Sequence, residues 1–189
     1  MGNPGERFAG TRHNIGFVTV DSLAKRTGVR LHRPLLRRYL IGSGTVDGAV
    51  VWLAKPLTFM NRSGEVLREL MQRCRVDLGS VVVVCDSLDL PAGKCRLKRG
   101  GGSGGHRGLQ SVIDQLGTTE FVRLWIGIGR PPDGDVIAHV LGRFGADEET
   151  VYMEAVSAAT GALTSLATKA VDRVMNELNQ RSANTHEEG

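Results

Sequence analysis

Long apolar runs are missing from this sequence. Nowhere do about 18 apolar residues follow one another, so no membrane span is implied. The front does not resemble a signal peptide, because polar Asn3, Glu6 and Arg12 stand where an apolar stretch would be needed. Cysteine is scarce: Cys74, Cys85 and Cys95 are widely spaced and form no CxxC, which points to reduced thiols in a cytosol-like compartment and away from a zinc site. HExxH and Walker A sequences are absent, so metalloprotease and nucleotide triphosphatase readings lack support. No internal repeat is visible. Charge excess is small, 24 Lys+Arg against 20 Asp+Glu, for a net +4. Such a balance permits a polyanionic partner without demanding one. What is there is a chain of 189 residues, 41% hydrophobic, enough for the core of one domain.

The front of the chain is dense in chemistry. Asn3-Pro4-Gly5 reads as a tight turn, since Pro4 fixes φ and Gly5 frees it. Thr11 and Asn14 are both candidate helix N-caps, and the apolar residues Ile15, Phe17, Val18, Val20 and Leu23 follow. His13 thus sits where a loop becomes a helix, an address for chemistry. From this stretch alone it reads equally well as a helix-start histidine with no task.

Helical spacing covers residues 15–27 and stops at Gly28, a natural left-handed terminator. An Arg-rich loop follows over 29–38. Tyr39–Val46 and Ala49–Lys55 predict a hairpin about Asp47-Gly48, with Pro56 ending its second strand. Thr58–Asn61 is a loop and Arg62–Arg75 a helix. Val81–Cys85 is a strand apolar enough to be buried on both faces, with Asp86 just past its end. Lys94–Lys98 and Phe121–Ile128 are further strands. Helices are expected from about Gly108 to Leu116, over Asp135–Leu141, and at about 147–167 and 169–179; the polar tail 181–189 is expected to be disordered. Buried strands alternating with helices give an α/β layered domain, in which sites collect at the carboxyl ends of strands. His13, Asn61 and Asp86 are the residues most able to converge there.

The run Gly100–Gly105 fits both GxSxG and GxGxxG, but a stretch with five glycines fits almost any glycine motif. A nucleophile elbow at Ser103 needs an apolar strand running into a strained turn, and Lys94–Arg99 is not one. The run does let backbone N–H groups approach an anion at a helix start. Just before it, strand periodicity puts Lys94, Arg96 and Lys98 on one face at about 6.6–7 Å spacing, close to that of successive phosphates. A solvated edge strand whose cations block aggregation accounts for the same spacing.

Five blocks in order, Gly2–Gly5 with Thr11–Asn14, Thr58–Gly64, Asp86–Pro91, Gly100–Gly108 and Gly127–Pro131, closely resemble the bacterial-type peptidyl-tRNA hydrolase family over roughly residues 2–180. The resemblance implies a single three-layer α/β domain, residues 1–180, with a twisted mixed sheet and helices on both faces. It also implies a first central strand before Gly2, missing from this chain. The implied activity is metal- and cofactor-independent hydrolysis of the ester between a peptide and the 3′ ribose of tRNA, which recycles tRNA. The enzyme is expected to be a cytoplasmic monomer with no membrane partner, or an organellar one if an upstream targeting segment is missing. A non-catalytic, splicing-factor-like RNA-binding relative is the alternative.

By the same resemblance His13 is the base that takes a proton from water and Asp86 the carboxylate that orients it. Asn61 and Asn3 complete the catalytic set, with Asn61 on the carbonyl or water and Asn3 on the peptide side. Phe8 and Met60 line the crevice, and His106 and Arg107 bind substrate. Lys98 meets tRNA phosphate, with Arg96, Lys94, Arg123 and Arg130 as further cations, and Asp89 supports its loop. The chain departs from the family in three places. Arg107 stands where an asparagine is usual, Ser87 where a glutamate is usual, and Trp125 where some members have a second tRNA-binding arginine.

Overall fold

The computed structural model describes residues 1–184. It contains five strands, β1 (Tyr39–Val46), β2 (Ala49–Pro56), β3 (Val82–Ser87), β4 (Cys95–Arg99) and β5 (Val122–Gly127). Six α-helices accompany them: α1 (Ile15–Thr27), α2 (Leu67–Cys74), α3 (Arg107–Leu116), α4 (Val136–Leu141), α5 (Glu149–Ser165) and α6 (Val171–Asn184). β5 lies between β3, to which it is parallel, and β4, to which it is antiparallel. The sheet is mixed, as expected. The hairpin β1–β2 forms a separate sheet, so the five strands do not make one continuous layer. Among the described residues β3 is an edge strand, and Met1 N donates to Val84 O along it.

Period-two alternation sorts the strand side chains into two layers. Val84, Leu97, Val122, Leu124 and Ile126 face α1, α5 and α6, where they meet Ile15, Tyr152, Val156, Ala159 and Leu178. Val83 and Cys85 face the other way, onto Leu109 and Val112 of α3 and onto Met60. Leu97, Leu124 and Ile126 are fully buried, each a side chain worth about 1.5–3 kcal/mol on burial. β4 has a blocked outer edge: Asn179 of α6 accepts from Leu97 N and donates to Leu97 O, both at 3.0 Å.

The hairpin turn holds as read, with Asp47 and Gly48 both at positive φ (48° and 84°). Elsewhere the structure corrects the sequence reading. The expected helix from Arg62 is a 3-10 segment, Met60–Val66, followed by α2. This segment lies so close to α3 that a Cβ on Gly64 would sit 2.1 Å from Ser111 O. Neither Thr11 nor Asn14 caps a helix with its side chain: Thr11 Oγ1 donates to Phe8 O, and Asn14 serves Asn3 instead. α6 continues to Asn184, through the first residues of the expected tail; residues 185–189 lie outside the described residues. No helix among the described residues is long and apolar enough to cross a membrane.

Candidate active site

Asp86 is built into the site by β3. It lies inside the ladder, opposite Ile126, not past its end as the sequence suggested. Two histidines reach it from helix starts on opposite faces of the sheet. His13, in the 3-10 turn Arg12–Asn14 that leads into α1, places Nδ1 at 2.8 Å and 2.9 Å from the two carboxylate oxygens. His106, the N-cap of α3, places Nε2 at 3.0 Å from Oδ1. Asp86 is 2% exposed. Burial alone would raise its pKa, yet His106 and His13 overcome this and hold it well below the usual carboxylate range.

These contacts assign the protons. His106 Nδ1 accepts from Leu109 N at 3.1 Å, so its proton resides on Nε2 and is donated to Asp86. His13 donates through Nδ1 to an ionised carboxylate, which leaves the Nε2 lone pair on the cleft side. His13, Asp86 and His106 also have the composition and spacing of a metal-ligand set. A metal would need the Nε2 lone pair of His106, and the bond from Leu109 N keeps a proton there, so the donor chemistry does not suit one.

A second network holds Asn3. Its N–H donates to Asn14 Oδ1 at 2.8 Å, Asn14 Nδ2 donates back to Asn3 O at 2.9 Å, and Asn3 Oδ1 accepts from Met60 N at 2.8 Å. The amide oxygen of Asn3 is thereby used, and its NH₂ has no protein acceptor among the described residues. This ties the front turn, the start of α1 and the Met60–Val66 segment together around the cleft. Asn14, a cap candidate by sequence, closes the turn Arg12–Asn14 and bonds to Asn3 eleven residues away, a pairing with no local signal in the sequence.

Every predicted site residue except Lys94 lines one cleft of about 990 Å³. Aromatic and aliphatic groups come from one set of elements: Phe8, Phe59, and Ile137 and Leu141 of α4, a helix the sequence reading did not assign to the site. Two of the cations come from β4. Its exposed face carries Arg96 and Lys98, whereas Lys94 precedes the strand, its backbone held in the turn to Pro91 and Gly127. The expected row of three cations is therefore a pair. Arg123, expected among the cations for tRNA, is 1% exposed and donates to Gly102 O at 2.7 Å and Thr119 O at 2.9 Å, so its guanidinium braces the glycine run from beneath. Arg130 is at the rim, paired with Asp89 at 2.5 Å. Trp125 stands edge-on to His106, with centroids 6.1 Å apart. Ser103 does not line the cleft, and it offers His106 only its carbonyl, to the backbone N–H at 3.0 Å.

The whole chain matches a known protein family. A family model described as peptidyl-tRNA hydrolase matches residues 1–186. The chain belongs to the peptidyl-tRNA hydrolase family. Among curated members, peptidyl-tRNA hydrolase of Bacillus subtilis is 46% identical over 182 residues, covering 96% of each chain. That of Caldanaerobacter subterraneus is 44% identical over 179 residues, 95% of this chain and 96% of the relative. The crystal structure of peptidyl-tRNA hydrolase from Acinetobacter baumannii superposes with a TM-score of 0.88 at 36% identity, over 94% of this chain and 91% of that one. Family membership gives the cleft its expected use, and the proton assignments above are this chain's own.

Proposed function

We propose that this chain hydrolyses the ester joining a peptide to the 3′ ribose of tRNA, with His13 as general base. The observation that carries the reading is the grip of Asp86 on His13 Nδ1 at 2.8 Å and 2.9 Å, which leaves Nε2 as a base facing the cleft. Water gives a proton to Nε2 as its oxygen attacks the ester carbonyl carbon. The oxyanion that forms receives hydrogen bonds from the NH₂ groups of Asn61 and Asn3. When the tetrahedral intermediate collapses, the carbon–oxygen bond to the ribose breaks and the imidazolium returns its proton to the 3′ oxygen. Asp86 stays ionised throughout and stabilises the imidazolium. The products are a peptide carboxylate and tRNA with a free 3′ hydroxyl.

Phe8, Phe59 and Met60 offer apolar surface to the peptide end, and Arg96 and Lys98 offer charge to the phosphates. Asn3, His13, Asn61 and Asp86 lining one cleft favour an enzyme over a binding-only relative. One chain carries every group the reaction uses, so a monomer suffices. Cysteines outside any disulfide fit a reducing cytoplasm. The test is release of free tRNA from N-acetyl-aminoacyl-tRNA by the purified protein. Release by the native chain that falls at least about a thousandfold in His13→Ala supports the reading. Absence of release by the native chain overturns it.

A further inference from the structure

Arg107 is placed unlike any other cation of the cleft. It opens α3, directly after His106. Gly108 brings this helix start against the Met60–Val66 segment: a Cβ on Gly108 would lie 2.6 Å from Met60 Sδ and 2.9 Å from Met60 O. The residues beside that contact, Arg107 and Asn61, therefore lie on neighbouring stretches of one wall. Both line the catalytic cleft and also an adjoining polar recess of about 270 Å³. The carboxylates of the recess are engaged elsewhere, Glu65 with Arg38 and Arg62 and Asp114 with Gln110. Arg107 is exposed and has no ion pair or side-chain hydrogen bond among the described residues. Arg96 and Lys98, by contrast, sit on β4, at the opposite edge of the sheet from β3 and Asp86.

We propose that Arg107 is a specificity-determining residue that reads the acyl end of the substrate by charge. It donates hydrogen bonds to the carbonyl oxygen of an N-acylated aminoacyl ester and repels the α-ammonium of an unblocked one. This rests on the hydrolase reading above. Peptidyl-tRNA and aminoacyl-tRNA share the nucleic acid and the ester, so neither phosphate contacts nor His13 can separate them. They differ at the α-nitrogen. The peptide presents a neutral amide whose carbonyl accepts, whereas the unblocked ester presents a cation with no lone pair. A guanidinium has only donors and a permanent charge, so it favours the first and disfavours the second. One unit charge opposing another at a few ångströms in a partly hydrated cleft suffices for about tenfold discrimination.

The test compares kcat/KM for N-acetyl-phenylalanyl-tRNA and phenylalanyl-tRNA in the native protein, Arg107→Gln and Arg107→Lys. It is run at about pH 6.5 and about pH 8.5, on either side of the α-amino range of about 7.7–8.0. The titratable groups facing Arg107 are His106 at its own turn, Asp114 on α3 and Glu65 on the 3-10 segment. All three are the same in the native protein and in both variants, so comparing the three proteins isolates the charge at position 107. At the lower pH the Gln variant should lose about tenfold of the preference for the blocked ester, and the Lys variant should keep most of it. In the native protein the preference should shrink at the higher pH, where the amine is neutral. A Gln variant with the native ratio, or a native ratio that does not change with pH, overturns the proposal. A native protein that cleaves neither ester overturns the hydrolase reading instead.

Discussion

Asp86→Asn gives an unusually determined outcome, because the protons around this side chain are already assigned. In the native protein Oδ1 accepts from His106 Nε2 at 3.0 Å and from His13 Nδ1 at 2.8 Å, and Oδ2 accepts from His13 Nδ1 at 2.9 Å. His106 cannot change tautomer, since Leu109 N occupies its Nδ1. The single oxygen of the new asparagine must therefore serve His106, and its NH₂ must face His13. Two donors would then meet at 2.9 Å unless His13 moves its proton from Nδ1 to Nε2. That move removes the base. The equivalent loss of tautomer in a serine-protease triad lowers kcat about ten-thousandfold, so a fall of about 10³–10⁴ is expected here, equal to about 4–5.5 kcal/mol of barrier. The assay is turnover of N-acetyl-aminoacyl-tRNA, with ¹⁵N chemical shifts of His13 reporting the tautomer in the same samples. A folded variant within about tenfold of native kcat, or one whose His13 keeps its proton on Nδ1, would refute the reasoning.

Three further outcomes follow from the geometry. Arg96→Ala and Lys98→Ala should each flatten the salt dependence of tRNA binding by about one unit of log–log slope, while Lys94→Ala leaves it unchanged, as filter binding across a salt series would show. Arg12→Ala should lower the melting temperature and raise KM more than it lowers kcat: Arg12 N donates to Gly142 O at 2.9 Å and its guanidinium to Glu148 at 2.5 Å, joining the turn of His13 to the segment after α4. An unchanged melting curve would show that link to be dispensable. Acid stability should depend on Asp86, whose pKa is depressed in the folded state. As pH falls below the ordinary 3.8, the unfolded chain takes up the proton first, so stability present above that value is lost as pH approaches the folded pKa. Circular dichroism against pH should show this component in the native protein and not in Asp86→Asn.

The sequence disclosed what repeats or punctuates. The apolar run within Phe121–Ile128, Gly28 after α1 and Asp47-Gly48 between β1 and β2 all act locally, and β5, α1 and the hairpin lie within a residue of where they are read. Motif residues were also legible, since His13, Asn61 and Asp86 recur in spaced blocks whose convergence the fold supplies. The misreadings share a cause, which is a partner, often on the backbone, that no residue pattern announces. Arg123 reads as one more cation for tRNA, and the carbonyls of Gly102 and Thr119 engage its guanidinium. Lys94 keeps the strand period, but the turn at Pro91 holds its backbone and takes it out of the row. Asn14 has a cap's composition, yet Asn3 lies close enough to use its amide twice. His106 could be expected near substrate, but its role as a buried donor to Asp86 needed the position of Leu109 N.

The most direct test of the central claim is single-turnover hydrolysis of N-acetyl-aminoacyl-tRNA by the native protein and by His13→Ala, with tRNA affinity measured in parallel. Both proteins should bind tRNA alike, because Arg96 and Lys98 are untouched, while the variant releases free tRNA at least about a thousandfold more slowly. Equal rates of release from the two bound complexes would contradict it.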